Sequence, residues 1–390
     1  MIRNCGTNLA EEIISFGFVP KKRILFLLII ILIGFSLRIY QTTEFMRFTG
    51  DEARDVWQAK NITARGKIPL LGPKIYRHHG HLGPAYAYLM ALPLWLGRYE
   101  PAVTVIVIVV FETLSILILY LIAANLFNLK TAMLAAFLYA TNFTMIFYSR
   151  WGWHPSLLPF FSLLSFFCMV KVTQGNAKYL PLLTASLSLA MQFHLSAMVM
   201  GVPALLSIWF GRRTITKRTT LTALCLALIF LSPLFLYDVL TLASNIRSLI
   251  DIRLVVLGEP QFSFFHFILD TSQVIADQAF WPYGFRKVLM PEFSWMYMVN
   301  VFLLVCSFVT VGLVLRHRLK ISLILLLWMV LPFLALSQFG GQRSHYYMLS
   351  WFPLPILTVA VFLGIGLRRR TLTWFTILIV FFLVTTNLST

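Results

Sequence analysis

Apolar residues in this chain recur in long blocks, each bounded by basic residues, proline or glycine. About 20 apolar residues in a helix cross a hydrocarbon core. On that criterion the blocks predict spans at roughly 24–41, 102–127, 130–148, 155–173, 179–194, 196–211, 219–237, 295–315, 320–337, 346–366 and 371–388. The run from His81 to Gly97 is also apolar, but Gly83, Pro84 and Pro93 interrupt it. It predicts a helix lying at the interface or partly re-entrant. The expected fold class is an all-α integral membrane protein: a bundle of about eleven transmembrane helices with interfacial helices in its first outer loop. A cytoplasmic tail, residues 1–22, precedes a single membrane domain, residues 23–390, and two long outer loops fall at 42–100 and 238–294.

Composition agrees. Hydrophobic residues make up 59% of the chain, charged residues 12%, and mean hydropathy is +0.82, too little charge to cover a soluble surface. The net charge of +18 resides in residues flanking the spans, and no basic run interleaves with aromatics in a polar domain, so nucleic acid is not an expected partner. Cys168, Cys225 and Cys306 lie inside apolar runs, and none of the four cysteines has metal or redox spacing, so they read as small core residues. The run Ile24 to Leu37 follows Lys21, Lys22 and Arg23 as a signal peptide's apolar region would. No small-x-small cleavage site follows it, so it is read as a retained first span.

The basic residues orient the bundle. With Lys21–Arg23 cytoplasmic, alternate short loops hold Lys130, then Lys171 and Lys178, then Arg212, Arg213, Lys217 and Arg218, then Arg316, Arg318 and Lys320, then Arg368 to Arg370. The acids complement them. Glu11 and Glu12 are in the tail and Glu112 is within a span; the rest fall on the outer side. A transporter is expected to place ionisable groups near the midplane. Their collection at one interface favours an enzyme open to the outer leaflet over a flippase or transporter of lipid-linked saccharides. An O-antigen ligase or polymerase is the other alternative, and would rely on a large late outer loop.

The first outer loop carries the chemistry. Thr49 to Trp57 opens a helix reaching about Arg65, with Asp51 and Asp55 four apart on one face and Val56, Ala59 and Thr63 forming a weakly apolar stripe. A carboxylate here could take a proton from an acceptor hydroxyl or hold a divalent cation against a phosphate. The structural alternative is a capping box, Thr49-x-x-Glu52, with acids favoured in a first turn. A cap needs one acid and this turn carries more, so chemistry is assigned to Asp51. Glu52 stays open between the two roles, and Asp55 is read as a partner for Arg54 or Lys60. Downstream, His78, His79 and His81 could ligate metal, bind phosphate when protonated or hydrogen-bond a sugar, although their spacing matches no standard metal motif. A solvated interfacial turn is the plain alternative.

With these residues in place the chain resembles the GT-C superfamily of membrane glycosyltransferases, in particular the protein O-mannosyltransferases and the aminoarabinose transferases of lipid A. The likeness rests on one first span, then Asp51-Glu52-Ala53-Arg54, then Gly83-Pro84-Ala85-Tyr86-Ala87-Tyr88-Leu89 and Leu92-Pro93-Leu94-Trp95-Leu96-Gly97. Later come Ala123-Ala124-Asn125-Leu126-Phe127 and Arg343-Ser344-His345-Tyr346-Tyr347-Met348, with Pro353 and Pro355 beyond. The resemblance implies transfer of a sugar from a polyprenyl-phosphate lipid in the outer leaflet to an acceptor, with inversion at the anomeric carbon. It implies Asp51 as base, and Glu52 as helper or metal contact. Relatives often carry a second acid before the interfacial helix; here the histidines occupy that region, which leaves a divalent cation open as cofactor.

Three further outer-face groups are candidates. Arg54, with the three histidines, is expected at the carrier phosphate. So are Arg150 and His154 in Ser149-Arg150-Trp151-Gly152-Trp153-His154-Pro155, where the indoles could stack on a sugar or form an aromatic belt with a snorkelling arginine. Arg343 and His345 are the third, and His194 ends a span at the same level. The expectation is a multi-pass inner-membrane glycosyltransferase acting on the non-cytoplasmic side, with sugar and acceptor unspecified.

Overall fold

The structure, a computed structural model, describes residues 21–75, 80–249, 294–337, 345–367 and 372–388. The described chain is helical, with two isolated β-bridges. Helix α1 (Lys21–Ile39) leads to the outer-loop helix α2 (Gly50–Arg65) and the short helix α3 (Ala85–Leu96). The bundle continues through α4 (Ala102–Leu126), α5 (Leu129–Thr141), α6 (Phe143–Ser149), α7 (Leu158–Thr173), α8 (Leu180–Phe193), α9 (Gly201–Gly211) and α10 (Lys217–Leu240). After the second long loop come α11 (Ser294–Leu315), α12 (Leu319–Ser337), α13 (Pro353–Gly366) and α14 (Thr373–Leu388).

These helices occupy the expected apolar runs. Ala102–Leu126, His154–Thr173, Leu195–Thr214 and Lys217–Leu240 are each long and apolar enough to cross a membrane, and α5 with α6 would make a fifth crossing, bent by 54°. The other apolar helices are shorter among the described residues, so length alone does not establish eleven spans. Lipid is as apolar as a protein core, which lets helices carry apolar side chains all round. Helix α10 shows this: Leu221, Leu228, Phe235 and Leu240 all point outward, while α13 is buried along nearly its whole length. Cys168 is buried as expected, whereas Cys225 is exposed and Cys306 half-buried, because their helices turn those faces outward.

The 54° bend falls at Asn142. Asn142 ends α5 and caps α6, its side chain accepting from the Met145 N–H at 3.1 Å. A helix end leaves carbonyls without intrahelical partners. The Arg38 guanidinium takes two of these, Ala140 O at 2.9 Å and Tyr139 O at 3.1 Å, and also Gly34 O at 3.0 Å. Arg38 is therefore fully buried in the bundle rather than snorkelling. Beside it the Tyr139 hydroxyl donates to Glu112 at 2.9 Å, which places that carboxylate in a structural network.

Candidate active site

Helix α2 begins at a closed cap. The Glu52 carboxylate accepts from the Thr49 N–H at 2.5 Å and from the Thr49 hydroxyl at 2.6 Å, and the Trp151 indole N–H donates to its other oxygen. Glu52 is completely buried, so both its oxygens are committed to structure. At the other end Gly66, at φ 64°, returns its N–H to Asn61 and Ile62 carbonyls. Between the ends, Glu52, Asp55, Val56 and Ala59 form the buried stripe. Their spacing of three and four residues is one helix face, and it turns Asp51 away from the core.

Three carboxylates in five residues thus meet three environments. Asp51 is exposed over about half its side chain and pairs with Arg54 Nη1 at 2.7 Å. Asp55 is 1% exposed and is held on both oxygens. Arg54 Nε and Nη2 reach one at 3.1 and 3.0 Å, and His154 Nδ1 reaches the other at 2.6 Å. The expected Arg54–Asp55 pair is present; the second partner, His154, comes from nearly a hundred residues away.

Asp51, Arg54 and His154 open into a cavity of about 430 Å³. Trp153, His194, Tyr346 and Tyr347 wall it, and Lys74 contributes a further cation. The aromatic wall is continuous: Trp153 meets Tyr346 edge-on at 4.6 Å, and His194 stacks on Tyr347 at 5.3 Å between ring centres. Among the described residues lining the cavity, Asp51 is the only carboxylate. The indole N–H of Trp153 is buried without a hydrogen-bond partner among the described residues.

The cavity's far side is a short hairpin. Gly72 N–H donates to Leu82 O at 2.8 Å, Leu82 N–H to Pro73 O at 2.9 Å, and Ile75 N–H to Gly80 O at 3.0 Å. A side chain on Gly72 would strike the Gly83 carbonyl, and one on Gly83 would strike Gln192, so both glycines are demanded by close approach. The expected apolar helix follows as α3, whose Tyr86 hydroxyl donates to Gly152 O at 2.7 Å. His81 sits in the second hairpin arm, with its imidazole held below the usual histidine range by burial first and by Lys74 second. That setting opposes a protonated His81 at a phosphate. His78 and His79 lie outside the described residues, as does Arg343; His345 lies in a short 3-10 turn whose neighbour Tyr346 faces the cavity.

Arg150 is engaged elsewhere. Its guanidinium donates to Leu37 O at 2.5 Å and Arg38 O at 3.4 Å, closing the end of α1, and it packs over Phe45. Lys74 and Tyr347, by contrast, reach the cavity without having been singled out. Only tertiary folding carries Lys74 there, and a lone lysine in a loop gives no local signal. Among the described residues no three His, Cys, Asp or Glu side chains come together to hold a metal ion.

Comparison with known proteins follows this geometry. Residues 79–237 match the family model described as dolichyl-phosphate-mannose-protein mannosyltransferase. Comparison with curated proteins finds no match. Among solved structures, ArnT from Cupriavidus metallidurans bound to undecaprenyl phosphate is 14% identical, with a TM-score of 0.58 over 94% of this chain and 63% of that one. The oligosaccharyltransferase AglB from Archaeoglobus fulgidus, with an inhibitory peptide and a dolichol-phosphate, is 13% identical, with a TM-score of 0.56 over 95% of this chain and 55% of that one. The Archaeoglobus fulgidus oligosaccharyltransferase in complex with Zn and sulfate is 14% identical, with a TM-score of 0.56 over 93% and 53%. The chain thus spans little more than half the length of the structures it matches, and at these identities the likeness is one of fold.

Proposed function

We propose that the chain, which resembles the GT-C membrane glycosyltransferases in fold, moves a sugar from a polyprenyl-phosphate lipid to an acceptor, with Asp51 as base at the non-cytoplasmic face. One observation carries the reading: of the three acids opening α2, Asp51 alone faces the cavity, while Glu52 and Asp55 are buried and hydrogen-bonded. In the proposed step an Asp51 oxygen takes the acceptor hydroxyl's proton as the acceptor oxygen bonds to the anomeric carbon. The bond from that carbon to the phosphate oxygen breaks, and negative charge develops on the departing lipid phosphate. Arg54 holds Asp51 in position, and Lys74 supplies positive charge beside the developing anion. The aromatic wall offers flat faces for a sugar ring. The bound undecaprenyl phosphate and dolichol-phosphate of the solved relatives support the carrier class. Positive charge in the short loops of the opposite face supports the orientation.

The described donors do not complete a metal site, and zinc is a feature of the archaeal relative's structure. Incubating the purified chain with polyprenyl-phosphate sugars and candidate acceptors tests the reading. D51N should lose about a hundredfold or more of transfer while keeping its melting temperature. Full activity in D51N, or Asp51 labelled from the cytoplasmic side, overturns it. Treatment with EDTA followed by back-titration with divalent cations reports metal dependence separately.

A further inference from the structure

The pair of Asp55 and His154 is not used by that step, yet it is buried and its histidine lines the cavity. Asp55 Oδ2 meets His154 Nδ1 at 2.6 Å, with side-chain exposures of 1% and 6%. Burying a carboxylate is costly unless it is paired and hydrogen-bonded, and here both oxygens are occupied. The bond to Nδ1 settles which ring nitrogen is committed, and so leaves Nε2 for the cavity that His154 lines. Nε2 has no hydrogen-bond partner among the described residues. An imidazole oriented by a buried carboxylate through one nitrogen, with the other directed at a cavity, is the arrangement that proton-transferring histidines use.

The groups around the pair decide the direction of transfer. The groups facing His154 from the elements around it are Asp55, Arg54 and Asp51 on α2, Tyr86 on α3, His194 after α8 and Lys74 on the hairpin. Asp51 already stands in the cavity as the group able to accept a proton. The complementary need is a donor toward the departing phosphate.

We propose that His154, held by Asp55, is the general acid that protonates the leaving polyprenyl phosphate, a role that rests on the glycosyl-transfer reading above. As the bond from the anomeric carbon to oxygen breaks, the Nε2 proton passes to an oxygen of the lipid phosphate, and the acceptor's proton passes to Asp51. Proton return from Asp51 to His154 through solvent restores both groups. Over one cycle the acceptor hydroxyl's proton ends on the lipid phosphate, and no other reactant is needed.

The test is the pH–rate profile of H154Q and D55N beside the wild type, with acceptor and polyprenyl-phosphate sugar both saturating. The wild type should lose rate at alkaline pH. H154Q should be slower by about a hundredfold, with that alkaline limb abolished and the KM for acceptor little changed. D55N keeps an oxygen for Nδ1–H but removes the charge, so the limb should move to lower pH. An unchanged alkaline limb in D55N, or H154Q within twofold of wild type, overturns the proposal, and the D55N limb decides alone if H154Q does not fold. An inactive D51N beside an H154Q of wild-type rate and profile sinks this inference only. A fully active D51N sinks the glycosyl-transfer reading itself.

Discussion

Asn245 grips the backbone of His81 on both sides: its Oδ1 accepts the His81 N–H at 2.7 Å, and its Nδ2 donates to the His81 carbonyl at 3.4 Å. Asn245 is itself placed by Asp238, whose carboxylate accepts the N–H groups of Asn245 and Ile246 at 2.9 and 3.1 Å. One side-chain amide thus ties the start of the second long loop to the hairpin that carries Lys74.

N245A should free that hairpin arm. Losing one buried amide that satisfies two backbone groups costs about 1–3 kcal/mol. The expected outcome is a lower melting temperature in detergent and a raised KM for the lipid donor, with kcat less affected. Wild-type stability and KM together would show the tie to be incidental.

Glu52 and Asp51 should separate stability from activity. E52A removes the acceptor for Thr49 and for the Trp151 indole, leaving the part-buried indole N–H unpaired. Cap loss is worth about 1 kcal/mol and an orphaned buried donor about 1–3 kcal/mol. E52A should melt earlier, whereas D51N should melt as wild type and fail in transfer. Thermal unfolding of the two variants side by side is the measurement.

Arg38 should prove structural although it is charged and in a span. R38M deprives the Tyr139 and Ala140 carbonyls of their donor and leaves Glu112 without its nearby cation. Removing one member of a buried charged network costs about 3–5 kcal/mol. Poor yield of folded R38M, partly restored by adding E112Q, is expected; a stable R38M single variant would refute the account.

Lys74 should act on the donor rather than on the fold. It is exposed at the cavity and packs into no core. K74M should weaken binding of polyprenyl phosphate by about tenfold or more, the worth of a charge-assisted hydrogen bond, with no change in melting temperature. Titration with the lipid phosphate reads this directly.

His81 links the hairpin to pH. Its folded-state affinity for a proton is lowered by burial and by Lys74. The unfolded chain therefore takes up this proton more readily, and the contribution is full above the unfolded value, about 6.5, and declines as pH falls below it. H81Q should flatten that part of the dependence of melting temperature on pH. An identical profile in H81Q would place the titration elsewhere.

Much of this was legible along the chain. Apolar runs report their solvent directly, because a residue facing lipid and one facing a helix neighbour obey the same preference, so the bundle's helices fall where the runs do. The cap at Thr49 and Glu52 was legible for a local reason, since both partners lie in one turn. The four-residue spacing put Asp51 and Asp55 on one face, yet the structure buries Asp55 and leaves Asp51 about half exposed.

What the chain alone leaves open is which distant group meets which. Arg150 and Lys74 are both cations in outer loops, yet one closes the end of α1 and the other reaches the cavity. His154 becomes a partner of Asp55 only when the loop after α6 packs against α2. Apolar periodicity is a property of neighbours in sequence, whereas the pairing of charges depends on separations of nearly a hundred residues. The tertiary structure decides it, because a buried charge must find its partner wherever the fold provides one.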